Sequence, residues 1–284
     1  MPVQDTHPEG SKKSANLFQR LKPGRRTSRW MLMVCAVLLL AAWLLNTPPG
    51  LEGKADAVGY ALCHQISSRS FQINGQPVSL CARCTGMYVG IFVGLAYQLI
   101  LGRRRAEWPD REKLIVLGIF LLGFAVDGAN SASKLYFGQG LLYTPNNTLR
   151  LITGTGMGLG MAAMILPTLN QTIWREYDPR PYLQTWAQFG GFVLSGAVSA
   201  ALILTEIPFL LQAFTYIGVI GIIVILAMLY IMILMIIFNR ENRCIHWVDT
   251  LNWVLVGLIL ALIHIGAIDL ARYFLTGTWE GFHI

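Results

Sequence analysis

The sequence predicts an all-α, polytopic membrane helix bundle with about seven transmembrane helices, its N-terminus inside and its C-terminus outside. Three observations predict it. Charged residues make up 13% of the 284 residues and hydrophobic residues 54%, whereas a soluble domain carries about 25% charged residues. Seven stretches come close to the ~20 apolar residues that a helix needs to cross the hydrocarbon core. Lysine and arginine then alternate between the two sides in the manner of the positive-inside rule. A soluble enzyme is excluded, because so few charges cannot cover a globule. A disordered chain is excluded as well, since disorder goes with low hydrophobicity and high charge.

The first 29 residues form a basic tail with seven Lys/Arg and two acids, which holds most of the net charge of +7. Charge confined to a tail is no mark of a nucleic-acid-binding domain, and no nucleic-acid partner is expected. An ordinary topology-setting flank accounts for the tail. Its segment 15–22, with Leu17, Phe18 and Leu21 among bases, is also suited to lie on anionic lipids, at about 1 kcal/mol per base. The expected spans are 30–46, 85–101, 114–130, 149–169, 186–205, 212–238 and 250–273. The third is the least regular, because its apolar run stops at Asp127. Residues 216–238 are apolar all round, which suits lipid contact or deep burial. Pro208 separates the fifth and sixth spans or breaks a single pair. The first span reads as a retained anchor, since Asn46-Thr47-Pro48-Pro49 offers no small-x-small cleavage site. With the N-terminus inside, the inner segments collect 16 Lys/Arg and the outer segments six.

The outer segment 47–84 carries the chemistry. It reads Cys63-His64-Gln65, then Arg69-Ser70-Phe71, then Cys81-Ala82-Arg83-Cys84-Thr85-Gly86. Between them, Asn74-Gly75 flanked by alternating apolar residues predicts a hairpin with a type I′ turn. Such a hairpin brings Cys63 and His64 beside Cys81 and Cys84. Three thiols and an imidazole form a known tetrahedral zinc set, and C-x-x-C supplies two ligands from one turn. Zinc or another divalent metal is therefore one expected cofactor. Adjacent Cys and His serve one metal only from an irregular turn.

Two alternatives stay open. C-x-x-C at a helix start lowers a thiol pKa, so Cys81 and Cys84 fit a membrane thiol-disulfide oxidoreductase with Cys63 as relay. A plain disulfide or inert thiols form the third reading. Cys35, in the first span, and Cys244, in an inner loop, look unrelated. A c-type haem is not supported, because Thr85 rather than His follows Cys84.

These motifs carry a resemblance. Cys-His-Gln, Arg-Ser-Phe and Cys-Ala-Arg-Cys-Thr-Gly precede Asp127-Gly128-Ala129-Asn130 and Arg150-Leu151-Ile152-Thr153-Gly154. Together they resemble the DUF2085 family of prokaryotic membrane proteins over roughly residues 60–165. The resemblance implies a multi-pass protein of a prokaryotic cell membrane and marks a functional core, without specifying a reaction. The expected organisation is a tail at 1–29, a core at 30–165 and C-terminal membrane helices at 166–284.

Ionisable groups at membrane depth are functional hypotheses by default. Asp127, Lys134, Arg150, Asp269 and Arg272 all fall on the predicted outer side, with the cysteines. Asp127 closes the third span and Arg150 opens the fourth, so an ion pair between them is expected. Arg69, Asp127, Asn130 and Arg150 are expected to support the site or touch a substrate, while structural ion pairs explain the same pattern. A path lined by Asp127, Arg150, Asp269 and Arg272 is what a transporter or small-molecule binder would need, though no inverted repeat is visible. His264 is expected to be a satisfied core histidine. Gly86, Gly90 and Gly94, with Gly154, Gly156, Gly158 and Gly160, point to close helix packing. No nucleophile elbow or HExxH helix is present.

Overall fold

A computed structural model describes residues 25–281. The basic tail and its segment 15–22 lie almost wholly outside the described residues. The chain is an all-α membrane bundle. Helices α1 (Arg25–Asn46), α3 (Ala82–Leu101), α4 (Arg111–Phe137), α5 (Asn147–Ile173), α6 (Trp186–Leu204), α7 (Pro208–Ile237) and α8 (Trp247–Thr276) are long and apolar enough to span. One further helix, α2 (Gly50–Leu62), precedes the cysteines. Its 13 residues reach only ~20 Å, too short to cross. The sequence pattern had not singled it out, because its buried face is mostly small: Gly53, Ala55, Ala57, Gly59 and Ala61.

The connections sort to two ends. At the basic end, β3 (Arg105–Glu107) pairs in parallel with β4 (Asp178–Pro181), a ladder not expected from the sequence. Arg175 N donates to Cys244 O there, and the Arg104 guanidinium lies 4.0 Å from the Trp174 ring centroid. Arg29, near the start of α1, bonds Asn252 and Val248 O near the start of α8. At the other end, β1 (Gln72–Ile73) and β2 (Gln76–Pro77) form the expected hairpin. Asn74 and Gly75 take φ of 51° and 81°, as a type I′ turn needs. The end of α8 joins this cysteine end, where Tyr60 Oη donates to Thr278 O. The strict alternation of ends is what seven crossings require.

Two spans differ in detail from the sequence expectation. Helix α4 runs on past Asp127 to Phe137. The polar turn survives because Asp127, Asn130, Ser131 and Ser133 are buried and hydrogen-bonded rather than facing lipid. Pro208 sits in the first turn of α7 and so starts a helix instead of breaking one. Helix α7 has both an inner face, with Ile222, Ile225 and Met235, and an exposed one, with Ile220, Ile233 and Ile236.

Helices α3 and α5 pack most closely. A Cβ on Gly86 would meet Leu151 O, one on Gly90 Thr155 O, and one on Gly158 Met87 O. Backbones this close gain dispersion contacts that lipid cannot replace. Gly154 shares the interface, Gly156 faces Phe120 of α4, and Gly160 faces open space. His264 Nδ1 and Tyr230 Oη are 2.7 Å apart, the satisfied core histidine expected.

Candidate metal centre

Cys63 caps the end of α2, where its N–H donates to Gly59 O at 2.7 Å. The chain then turns sharply through Gln65, at φ 51°. Gln65 Nε2 donates to Asp56 O and Ser79 O, both at 3.0 Å. These bonds tie α2 to the segment leading into Cys81. Gly59 is required at this crossing, because a Cβ would run into Ser79 O. Cys81 is the N-cap of α3, and Cys84 lies one turn on.

The outcome is a cluster of three free thiols, Cys63, Cys81 and Cys84, whose Sγ atoms all lie within 4.8 Å of one another. Cys63 and Cys81 are 6% and 2% exposed. Cys63 Sγ accepts Gln65 N–H at 3.5 Å and Cys81 N–H at 3.3 Å. Amides aimed at sulfur stabilise a thiolate over a thiol. The Cys81 thiol is held well below its ordinary value, first because Cys63 and Cys84 hydrogen-bond to it and then because His64 does. The Cys63 thiol is pushed up to about 12, first by its bond to Cys81. The cluster therefore sheds its first proton easily and holds the next.

His64 adjoins the cluster without belonging to the close set. Its Nδ1 accepts Ile66 N–H at 3.1 Å. An amide only donates, so the ring proton of neutral His64 sits on Nε2. A protonated nitrogen has no lone pair for a metal. In this conformation His64 stands beside the three thiols, with Nδ1 taken by the Ile66 amide. Cys35 is exposed on α1 and Cys244 is buried at the basic end, so neither joins the cluster.

Helix α8 closes the site from one side. Arg272 Nη1 donates to Tyr60 O at 2.6 Å and Cys63 O at 2.8 Å, and its guanidinium stacks 3.9 Å from the Tyr60 ring centroid. Asp269 instead accepts the Trp43 indole N–H at 3.1 Å, joining α8 to α1. Asp269 and Arg272 thus also tie α8 to two different neighbours, α1 and the end of α2.

A second polar group lies beside the cysteines. Asp127 pairs with Arg83, not with Arg150, and accepts Tyr143 Oη at 2.7 Å on its other oxygen. The pairing follows from α3 packing: Arg83, between the two C-x-x-C cysteines, points across to α4. Arg150 bonds Asn147 Oδ1 at 2.8 Å and Ser131 Oγ at 3.4 Å. Arg69 reaches Ser131 O at 3.5 Å. Asn130 clasps the α4–α5 connection, donating to Tyr143 O and accepting Leu142 N–H. Arg83, Ser131 and Tyr143 were not singled out from sequence. Charge scarcity was the available signal for Arg83, the one base inside the cysteine pair. Ser131 and Tyr143 offered none.

A cavity of about 1330 Å³ opens at the cysteine end, lined by Asp56, Gln65, the hairpin, Gln212 and Glu280. Its lining comes from the cysteine-end connections and adjoining helix ends, so this cavity does not cross the bundle.

A family model described as "Predicted membrane protein (DUF2085)" matches residues 63–164. An uncharacterized protein of Methanocaldococcus jannaschii is 34% identical over 122 residues, covering 43% of this chain and 72% of that protein. An uncharacterized protein of Methanothermobacter thermautotrophicus is 30% identical over 104 residues, covering 36% of this chain and 83% of that protein. No solved structure matches. The matched segment contains the three clustered cysteines, Arg69, Arg83, Asp127 and Arg150.

Proposed function

Starting from the fact that this chain belongs to the DUF2085 family of membrane proteins, we propose that it holds a zinc-class metal ion on the thiolates of Cys63, Cys81 and Cys84. The observation that carries this reading is the meeting of three free Sγ atoms within 4.8 Å, two of them on buried residues. Soft thiolates select thiophilic ions such as zinc. The two N–H bonds to Cys63 Sγ orient that sulfur, as surrounding hydrogen bonds do for metal ligands.

A bound ion of this class with one position not taken by protein supplies Lewis acidity to water or to a substrate oxygen. The chain's own residues do the rest. Gln65 and Gly59 hold the two cysteine segments together. His64 Nε2 offers a proton beside Cys81, and Arg272 anchors the Cys63 carbonyl. By the Lys/Arg bias this end faces outward from a prokaryotic cell membrane. The thiol-disulfide alternative needs an incoming disulfide to reach the sulfurs; Cys81 is 2% exposed, and Cys84, of intermediate exposure, is the thiol it would have to meet. A transporter reading gains nothing from a cavity confined to one end.

The test is elemental analysis of the purified full chain in detergent. We expect about one zinc-class ion per chain, lost in Cys81→Ser plus Cys84→Ser and kept in Cys35→Ser plus Cys244→Ser. Absence of stoichiometric metal, or retention by the Cys81/Cys84 variant, refutes the reading.

A further inference from the structure

Positive charge at the cysteine end is concentrated at one place on α4. Three arginines from three separate segments converge on the turn holding Ser131. Arg69 comes from the short helix Ser67–Arg69, between Cys63 and Cys81, and bonds Ser131 O. Arg83 comes from the first turn of α3 and bonds Ser131 Oγ at 3.0 Å. Arg150 comes from the first turn of α5 and bonds the same hydroxyl. Arg69 and Arg83 are the like charges that act on Arg150.

The negative charge available is smaller. Asp127 is the acid in contact, and both its oxygens are taken, one by Arg83 and one by Tyr143. Cys81 is the other group that acts on Arg150 with the opposite sign. A divalent ion on the three thiolates would leave that cluster a single negative charge. The arginines therefore remain in excess, with or without the metal. Neither Arg69 nor Arg150 makes a salt bridge to a described acid. Arg150 is only 6% exposed, and its Nε and Nη1 are held by Ser131 and Asn147. Arg83 Nε is buried without a partner. A donor left over on a buried cation is costly unless an anion completes it. The N-termini of α3 and α5 add partial positive charge at the same place.

We propose that Arg69, Arg83 and Arg150 form a binding site for a phosphoryl group. Guanidinium forks match phosphate oxygens in bidentate geometry. Such a group arrives either as a phospholipid headgroup or as a soluble phosphate. The neighbouring chain favours the lipid. Tyr136, Phe137, Leu141 and Leu142 stand exposed beside the site. Ser133 and Asn130 pin the latter two by accepting their backbone N–H groups. A fixed apolar ledge with aromatics next to a cationic cleft suits an acyl chain beneath its headgroup. The proposal does not rest on the metal site.

The experiment uses the full chain in a neutral detergent, with phosphatidylglycerol and inorganic phosphate as separate probes. Retention of lipid is read by native mass spectrometry, and phosphate binding by calorimetry. We expect phosphatidylglycerol to bind and its affinity to fall at least about tenfold in Arg69→Gln and in Arg150→Gln, since each removes a charge-assisted contact. Arg180→Gln, at the basic end, should bind as the parent does. Binding of phosphate alone, with the same loss in the variants, supports the site and assigns a soluble ligand. Binding of neither probe overturns the proposal, as does binding that both variants leave intact. Should Arg150→Gln fail to fold, Arg69→Gln carries the test, because Arg69 is half-exposed on a connection.

Discussion

The close contact of α3 and α5 makes a sharp prediction, because one helix contains its own control. Gly158 and Gly160 are two residues apart on α5. A Cβ on Gly158 would overlap Met87 O and stand 2.8 Å from Ile91 N, both backbone atoms of α3 that cannot swing aside. A Cβ on Gly160 meets nothing within 4 Å. Replacing either by alanine brings the same helix-propensity gain of about 1 kcal/mol. Only Gly158→Ala also adds an overpacking cost of about 1–3 kcal/mol. The propensity term cancels between the two, so Gly158→Ala should be the less stable by about 1–3 kcal/mol. At roughly 2–4 °C per kcal/mol for a domain this size, the difference is about 2–12 °C in Tm. Thermal unfolding of both variants in one detergent reads it. Helix α3 begins with the cysteines and α5 begins at Arg150, so the shift should come with weaker metal retention. Equal Tm values would refute the close packing on which the geometry of both sites depends.

Two further outcomes follow from single side chains. Tyr143→Phe removes a 2.7 Å hydrogen bond to the buried Asp127 carboxylate, and a bond to a charged group contributes about 1.5–3 kcal/mol. A Tm unchanged in Tyr143→Phe would count against that bond. The Asp56 carboxyl is pushed up mainly by burial; the Ser79 hydrogen bond opposes this and the Glu52 charge adds to it. A raised folded pKa means that the native state holds its proton more tightly than the unfolded chain. Stability is then lost as pH rises from the unfolded value through the folded one. Asp56→Asn should accordingly raise Tm at pH 7 and lose its advantage near pH 3, and a constant offset across that range would contradict the assignment.

Much of this architecture was legible from the chain alone. Seven apolar stretches set the spans, since a bilayer forces backbone bonds inside each helix and the length follows from its thickness. The alternation of bases sorted the connections, and the structure places them at the same two ends. Asn74-Gly75 specified its turn through φ alone. These are local or solvent-imposed effects, which need no partner elsewhere in the chain.

The partners of polar side chains were decided by packing. Asp127 lies closer along the sequence to Arg150 than to Arg83, yet it pairs with Arg83. Smooth glycine faces bring α3 against α5, and that sets the angle from which Arg83 reaches α4. The residue types at Cys63, His64, Cys81 and Cys84 implied a four-ligand set, with His64 able to join only from an irregular turn. The turn at Gln65 gives His64 Nδ1 an amide to accept and brings three sulfurs together. Helix α2 escaped notice because small residues carry little periodic signal until α7 and α8 pack against them. Sequence determined which groups stand at which end of the membrane, because solvent sorts charge without reference to neighbours. Only the tertiary structure decided which of them touch, because contacts between distant segments depend on how closely backbones approach.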